Sequence, residues 1–102
     1  MTPALAKLEL RHIRYILAAA ERGSFRQAAE ALGVHPSALC RRIRDLEEEI
    51  GAALFIRTRG GISLTQAGDR FHSAVQKAMS SIEEAVYDVG VMGRGEEGVV
   101  RI

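Results

Sequence analysis

The stretch FRQAAEALGVHPSALCRRIR, residues 25–44, decides how the rest of the chain is read. It divides into two short helices at Gly33. Ser24 stands at the N-cap of the first, and Gln27, three residues on, completes the pattern of a capping box, which satisfies two orphan backbone donors. Gly33 supplies the left-handed residue that ends a helix. Val34 follows as a buried turn residue. Pro36 opens the second helix at its first position, where a missing N–H costs nothing. Two capped helices joined by so short a turn make a helix-turn-helix, whose second helix enters the DNA major groove.

Angles decide which residues point outward. At about 100° per residue, Ile43, Leu46 and Ile50 fall within roughly 40° of Leu39, and the four form a core stripe. With Leu39 at zero, Arg41 lies at about 200°, Ser37 at about 160° and Arg44 at about 140°. These three face away from the core. Cys40, at about 100°, takes one flank and Arg42, at about 300°, the other. Fixed donors, positive charge and the helix dipole together suit a polyanion. Such a face on a lone helix is often only solvated; the capped helix before it and the proline-started turn favour DNA.

Upstream, Leu10, Ile13, Ile16, Leu17 and Ala20 recur at helical spacing between Glu9 and Arg22, after a lead-in (residues 1–8) without cap or periodicity. This helix packs across the other two, and Ala28, Ala29 and Ala31 let them approach closely. Tyr15 and Phe25 are read as core aromatics. Glu47, Glu48 and Glu49 oppose the dipole at the end of the third helix, before Gly51. Groove contacts therefore belong to its N-terminal half.

After Gly51, Leu54–Arg57 and Ile62–Leu64 read as strands flanking Thr-Arg-Gly-Gly, and Gly60-Gly61 is a hairpin signal. That hairpin is a wing, with Arg57, Thr58 and Arg59 at its tip able to reach phosphates or the minor groove. Thr65 then caps a long helix to about Val89. Gly68, Val75, Ile82 and Val89 repeat every seven residues, as do Phe71, Ala78, Ala85 and Met92. A seam of this kind needs a second helix, so a second subunit is expected. From Gly90 onward glycines punctuate the chain as in a hinge, and Val99–Ile102 has strand character.

Composition bounds the function classes. One hundred and two residues, 47% hydrophobic, fit one small domain with a modest core. No apolar run of about eighteen residues and no signal peptide is present, so a membrane partner is not expected and a cytoplasmic location is. One cysteine makes no internal disulfide, and His12, His35 and His72 make no ligand set at metal spacing and no nucleophile–base motif. No catalytic residue, metal or cofactor is therefore assigned. Net charge is only +1, but residues 1–64 hold ten Lys/Arg against seven Asp/Glu while residues 65–102 hold four against six. The basic excess gathers in Arg41, Arg42 and Arg44, then Arg57 and Arg59, a local footprint of the kind that binds phosphate.

Gly23-Ser24-Phe25, Ala28-Ala29, Leu32, Val34, Arg41, Ile43, Leu46-Glu47, Gly51, Leu54-Phe55, Arg57, Leu64-Thr65 and Ala67-Gly68 resemble, in order and spacing, the N-terminal domain of the LysR-type transcriptional regulators of bacteria. The resemblance covers roughly residues 8–102. It implies a mainly α fold: a winged helix-turn-helix (three-helix core plus two-stranded wing) followed by a long dimerisation linker helix. The implied divisions are a DNA-binding domain at 1–64, with the helix-turn-helix at about 25–44 and the wing at about 54–64, a linker helix at 65–91, and a hinge at 92–102. The hinge would carry the first strand of an absent effector-binding domain, and any small-molecule inducer would bind there. The implied partners are double-stranded operator DNA, bound as an interrupted palindrome, and a second copy of the chain; full-length members are commonly tetramers.

Carried over onto this chain, the family's groove contacts fall on Pro36, Ser37, Ala38, Cys40 and Arg41, and its wing contacts on Arg57 and Arg59. Ser24, Gln27, His35, Arg42, Arg44 and Thr58 complete the expected DNA-binding set. Phe71, Val75, Ala78, Ile82, Ala85 and Val89 form the expected dimer seam. Two departures stand out. The family usually has serine or threonine at Cys40, and often glutamine then proline where this chain has Pro36-Ser37. The N-cap position, commonly serine, is His35, a poorer cap. Cys40 is either a serine substitute or, near the positive helix end, a thiol open to oxidation. A winged-helix regulator of another family and a protein-interaction module remain alternatives, and an enzyme is a distant one.

Overall fold

In a computed structural model, which describes residues 8–100, the helix-turn-helix forms as its punctuation dictates. Helix α1 spans Leu10–Arg22, α2 Phe25–Leu32 and α3 Pro36–Ile50. Strands β1 (Phe55–Thr58) and β2 (Gly61–Leu64) then pair, and α4 runs over Gln66–Val100. Ser24 Oγ accepts from the Gln27 N–H at 3.2 Å. The reciprocal half of that capping box is not formed, and the Gln27 side chain stays exposed. Gly33, at φ 70°, closes α2: its N–H bonds back to Ala29 and Glu30, and that of Val34 to Ala29 at 3.0 Å. A β-carbon would be strained at that φ, so the turn requires glycine.

The core gathers Ile16 and Ala19 of α1, Ala28 and Ala29 of α2, and Leu39, Ile43 and Leu46 of α3. Leu54, Phe55 and Ile62 complete it from below. Each fully buried Leu or Ile contributes about 1.5–3 kcal/mol, so Ile16, Leu39, Ile43 and Leu54, all under 2% exposed, dominate its stability. Three positions expected inside lie outside. Leu10 is 51% and Ile50 38% exposed, and Ala31 faces solvent while Ala19 is buried. Leu10 and Ile50 are the first residue of α1 and the last of α3, where a helix face leaves the core. The lead-in at 1–7 lies outside the described residues, whereas Leu8 packs on the core.

The wing forms where expected, with its first strand shifted by one residue from Leu54–Arg57 and its second starting one residue earlier than Ile62. Its strands pair antiparallel from Phe55–Leu64 to Thr58–Gly61, leaving Arg59 and Gly60 as a two-residue turn. It is more firmly seated than an ordinary hairpin. The Ile62 N–H donates to Gly23 O at 3.0 Å, and Gly61 lies so close to Gly23 O that a β-carbon there would collide with it. Phe25 meets Phe55 edge to face with ring centroids 5.5 Å apart.

Helix α4 differs from expectation at both its covering and its end. Val75 is buried (8% exposed) and Phe71 is half-buried against the core, so these two seam positions are covered by their own chain. The seven-residue repeat marks a face that will be covered, without saying by what. The same helix continues through Gly90, Gly93 and Gly95 to Val100, so the helix outlasts the expected boundary at 91, and Val99 and Val100 lie in helix where a strand was expected. Each glycine costs about 1 kcal/mol against alanine, but no proline or capping side chain stops the helix there. Residues 101–102 lie outside the described residues.

Candidate nucleic-acid interface

The N-terminus of α3 is built by a histidine. His35 Nδ1 accepts from the Ser37 N–H at 3.2 Å and lies 2.8 Å from Ser37 Oγ. A nitrogen that accepts a backbone N–H carries no proton, so the Ser37 hydroxyl donates to it and the ring proton sits on Nε2. The hydroxyl hydrogen of Ser37 is thereby engaged within the chain. Its oxygen keeps acceptor capacity toward a groove.

From that cap, Ser37, Ala38, Arg41 and Arg44 stand exposed, with Pro36 and Cys40 half-buried. The wing faces Cys40 and Arg44 across a cleft of about 180 Å³, which Phe25, Glu47 and Arg57 also line. The Arg57 guanidinium lies 5.8 Å over the Phe25 ring, which restricts it to the cleft rim. Thr58 and Arg59 are exposed at the hairpin tip. Among the described residues, none of Arg41, Arg44, Arg57 and Arg59 is held in an ion pair. Four exposed guanidiniums are thus held in no ion pair and can meet phosphates and base edges, while the one acid lining the cleft, Glu47, is engaged by backbone donors. Ser24 and Gln27 stand at the start of α2, Gln27 with its amide exposed.

Arg42 is set apart from this group. It lines a separate cavity of about 280 Å³ on the α1 side, with Leu8, His12, Asp45, Leu46, Glu48 and Glu49. Its charge acts there: together with Arg11 it helps to depress the pKa of His12, after burial of the imidazole, which is the main cause, while Glu9 opposes both. His12 Nδ1 accepts from the Glu9 N–H at 3.3 Å, which also requires that nitrogen to be unprotonated. Sequence angles already put Arg42 on the far flank, and the structure separates it from the other arginines.

Two residues that organise the interface were not singled out for it. Phe25, read as a core aromatic, also carries the Arg57 guanidinium. Glu47, read as one of three acids opposing the dipole, turns inward and accepts hydrogen bonds from the base of the wing. Neither role leaves a signal within a helical turn: Arg57 lies far along the chain from Phe25, and Leu54 and Phe55 reach Glu47 only after the chain turns back at Gly51.

On α4, Ala78, Ile82, Ala85 and Val89 are exposed, Ile82 at 45% and Val89 at 66%. Among the described residues no group of three or more His, Cys, Asp or Glu is placed to hold a metal ion, and no helix is long and apolar enough to cross a membrane. The lone cysteine is a free, half-buried thiol.

Comparison with known proteins agrees with this geometry. The family described as bacterial regulatory helix-turn-helix protein, lysR family, matches residues 10–69. The HTH-type transcriptional regulator BudR of Klebsiella aerogenes is 37% identical over 95 residues, covering 93% of this chain and 66% of that protein. The uncharacterized regulator YnfL of Escherichia coli K12 is also 37% identical over 95 residues, here 32% of its length. The chain therefore spans from about a third to about two thirds of these relatives. Among solved structures, the complex of the BenM DBD with catB site 1 DNA superposes with a TM-score of 0.80 at 34% identity, covering 84% of this chain and 97% of that one. The complex of the CbnR DBD with DNA gives 0.71 at 31% identity, covering 76% and 90%.

Proposed function

This chain belongs to the lysR family of bacterial regulatory helix-turn-helix proteins and is a DNA-binding domain of that family, and we propose that it binds an interrupted palindrome as a homodimer. The family consists of transcription regulators, not enzymes. In the proposed complex α3 enters the major groove, with Ser37, Ala38 and Arg41 toward base edges and Arg44 toward the cleft. The wing places Arg57, Thr58 and Arg59 on the flanking backbone or minor groove. The copies pair through the exposed half of α4, at Ala78, Ile82, Ala85 and Val89.

The observation that carries this reading is the set of exposed guanidiniums at Arg41, Arg44, Arg57 and Arg59, none held in an ion pair among the described residues. A salt titration tests it. Each neutralised phosphate adds about 0.9 to the slope of log affinity against log salt, so four contacts per subunit require a steep dependence. Binding of duplex DNA with a slope near zero would remove the interface. A protein-interaction module would instead bind an acidic polypeptide in preference to DNA.

A further inference from the structure

Resting on that reading of the wing and α3 as one DNA-binding surface, we propose that Glu47 is a positioning residue whose carboxylate ties the base of the wing to the recognition helix and so sets where Arg57 and Arg59 meet DNA. The residue organises everything between α3 and β1. Its backbone carbonyl accepts the Gly51 N–H at 2.8 Å and the Ala52 N–H at 3.2 Å, closing the helix. Its Oε2 accepts the Leu54 N–H at 2.6 Å and the Phe55 N–H at 3.2 Å. One residue thus collects four backbone donors over a span of eight positions. The two to the carboxylate are charge-assisted, which makes them the stronger kind.

The segment Glu47 holds is gripped from the opposite side as well. The Thr65 hydroxyl donates to Ala53 O at 2.6 Å and accepts from the Gly68 N–H at 2.9 Å, while the Thr65 N–H donates to Leu54 O at 2.9 Å. Leu54, only 1% exposed, therefore has its N–H on α3 and its carbonyl on Thr65, the residue before α4. The strand that leaves this clamp carries Arg57 three residues later. Any change in its exit direction moves both wing arginines together.

The charge belongs in this arrangement. A carboxylate beside a phosphate-binding face repels DNA unless its charge is spent on nearby donors, and turning inward onto two amides does this. Glu48, one residue on, faces solvent on the α1 side with Asp45 and has no such role.

The test is a double-mutant cycle in the full chain, using the duplex that wild type selects most tightly from a random pool. Each variant is measured at a temperature where its circular dichroism is that of the folded state. Glu47→Ala is expected to weaken binding about tenfold and to lower the salt slope by about one to two phosphates. In the Arg57→Ala/Arg59→Ala background the same change is expected to cost less than about twofold, because the groups it positions are gone. Should the alanine variant fail to fold, Glu47→Gln, which keeps an acceptor oxygen, enters the same cycle with a loss of about threefold. Losses that multiply independently overturn the proposal. Amide hydrogen exchange without DNA is the second measurement: Glu47→Ala is expected to speed exchange in residues 55–64 and to leave α1 and α2 unchanged. Uniform acceleration, or none, also overturns it. If wild type binds duplexes with no salt dependence, the DNA reading itself falls, while the exchange result still decides whether Glu47 holds the wing.

Discussion

The two halves of α4 carry the same seven-residue repeat and meet different fates. Val75, in the first half, is 8% exposed against its own domain; Ile82, seven residues on, is 45% exposed. The helix is continuous between them, so propensity does not distinguish the two. What differs is what lies alongside: α1 and the wing reach the first half and stop short of the second. An apolar stripe therefore states a demand for burial, and only the three-dimensional neighbourhood says who meets it.

The sharpest way to break that comparison is to place the same charge at both sites. Val75→Glu buries an unpaired carboxylate in the domain, a change that costs about 3–5 kcal/mol. For a domain of this size each kcal/mol moves Tm by about 4–8 °C, so thermal melts should fall by more than about 10 °C. Ile82→Glu should leave the helical circular dichroism intact and act on assembly, giving monomers by sedimentation and weaker DNA binding. If Val75→Glu melts like wild type, the domain does not cover that residue. If Ile82→Glu remains a dimer, the exposed half of α4 is not the seam.

A second contrast separates the flanks of α3. Arg41 stands exposed toward the proposed groove, while Arg42 lines the cavity beside His12. With a bidentate contact to guanine, Arg41→Ala should cost about 1–3 kcal/mol at one base position and relax specificity there. Arg42→Ala should change affinity less than twofold. Arg59→Ala should weaken binding alike across sequences and flatten the salt slope by about one phosphate. Selection from a random duplex pool with each variant reads all three, and an altered base preference for Arg42→Ala would contradict the assignment.

These contrasts also mark how far the sequence reaches. The helix-turn-helix was legible because its signals are local: Ser24, Gly33 and Pro36 act within a turn of where they stand. The hairpin was legible from Gly60-Gly61 with an error of one residue at each strand. What escaped depends on contacts across the chain. Glu47 looks like its neighbours Glu48 and Glu49 until Leu54 and Phe55 arrive to use it, and Val75 looks like Ile82 until its own domain covers it. The glycines after Gly90 misled in the other direction, since a glycine weakens a helix without obliging it to end.

The smallest expected effect lies on the α1 side of α3, away from the proposed DNA face, and concerns pH. His12 is 14% exposed, and its pKa lies below the ordinary value of 6.5, chiefly because burial disfavours the charged ring, with Arg42 and Arg11 adding repulsion against the pull of Glu9. A base whose folded pKa is depressed binds fewer protons in the folded state than in the unfolded one. Its contribution to stability is therefore whole above 6.5 and is lost as pH falls through the lower, folded value. Protonation also removes the Nδ1 acceptor that the Glu9 N–H uses at the start of α1. Urea unfolding between pH 7.5 and 5 should show stability declining below pH 6.5, and His12→Gln should flatten that decline. Arg42→Ala should leave a weaker decline that is complete at a higher pH, because removing the cation brings the folded pKa of His12 back toward 6.5. If Arg42→Ala steepens it, the guanidinium is not facing His12, and the separation of Arg42 from the DNA-facing arginines loses its support.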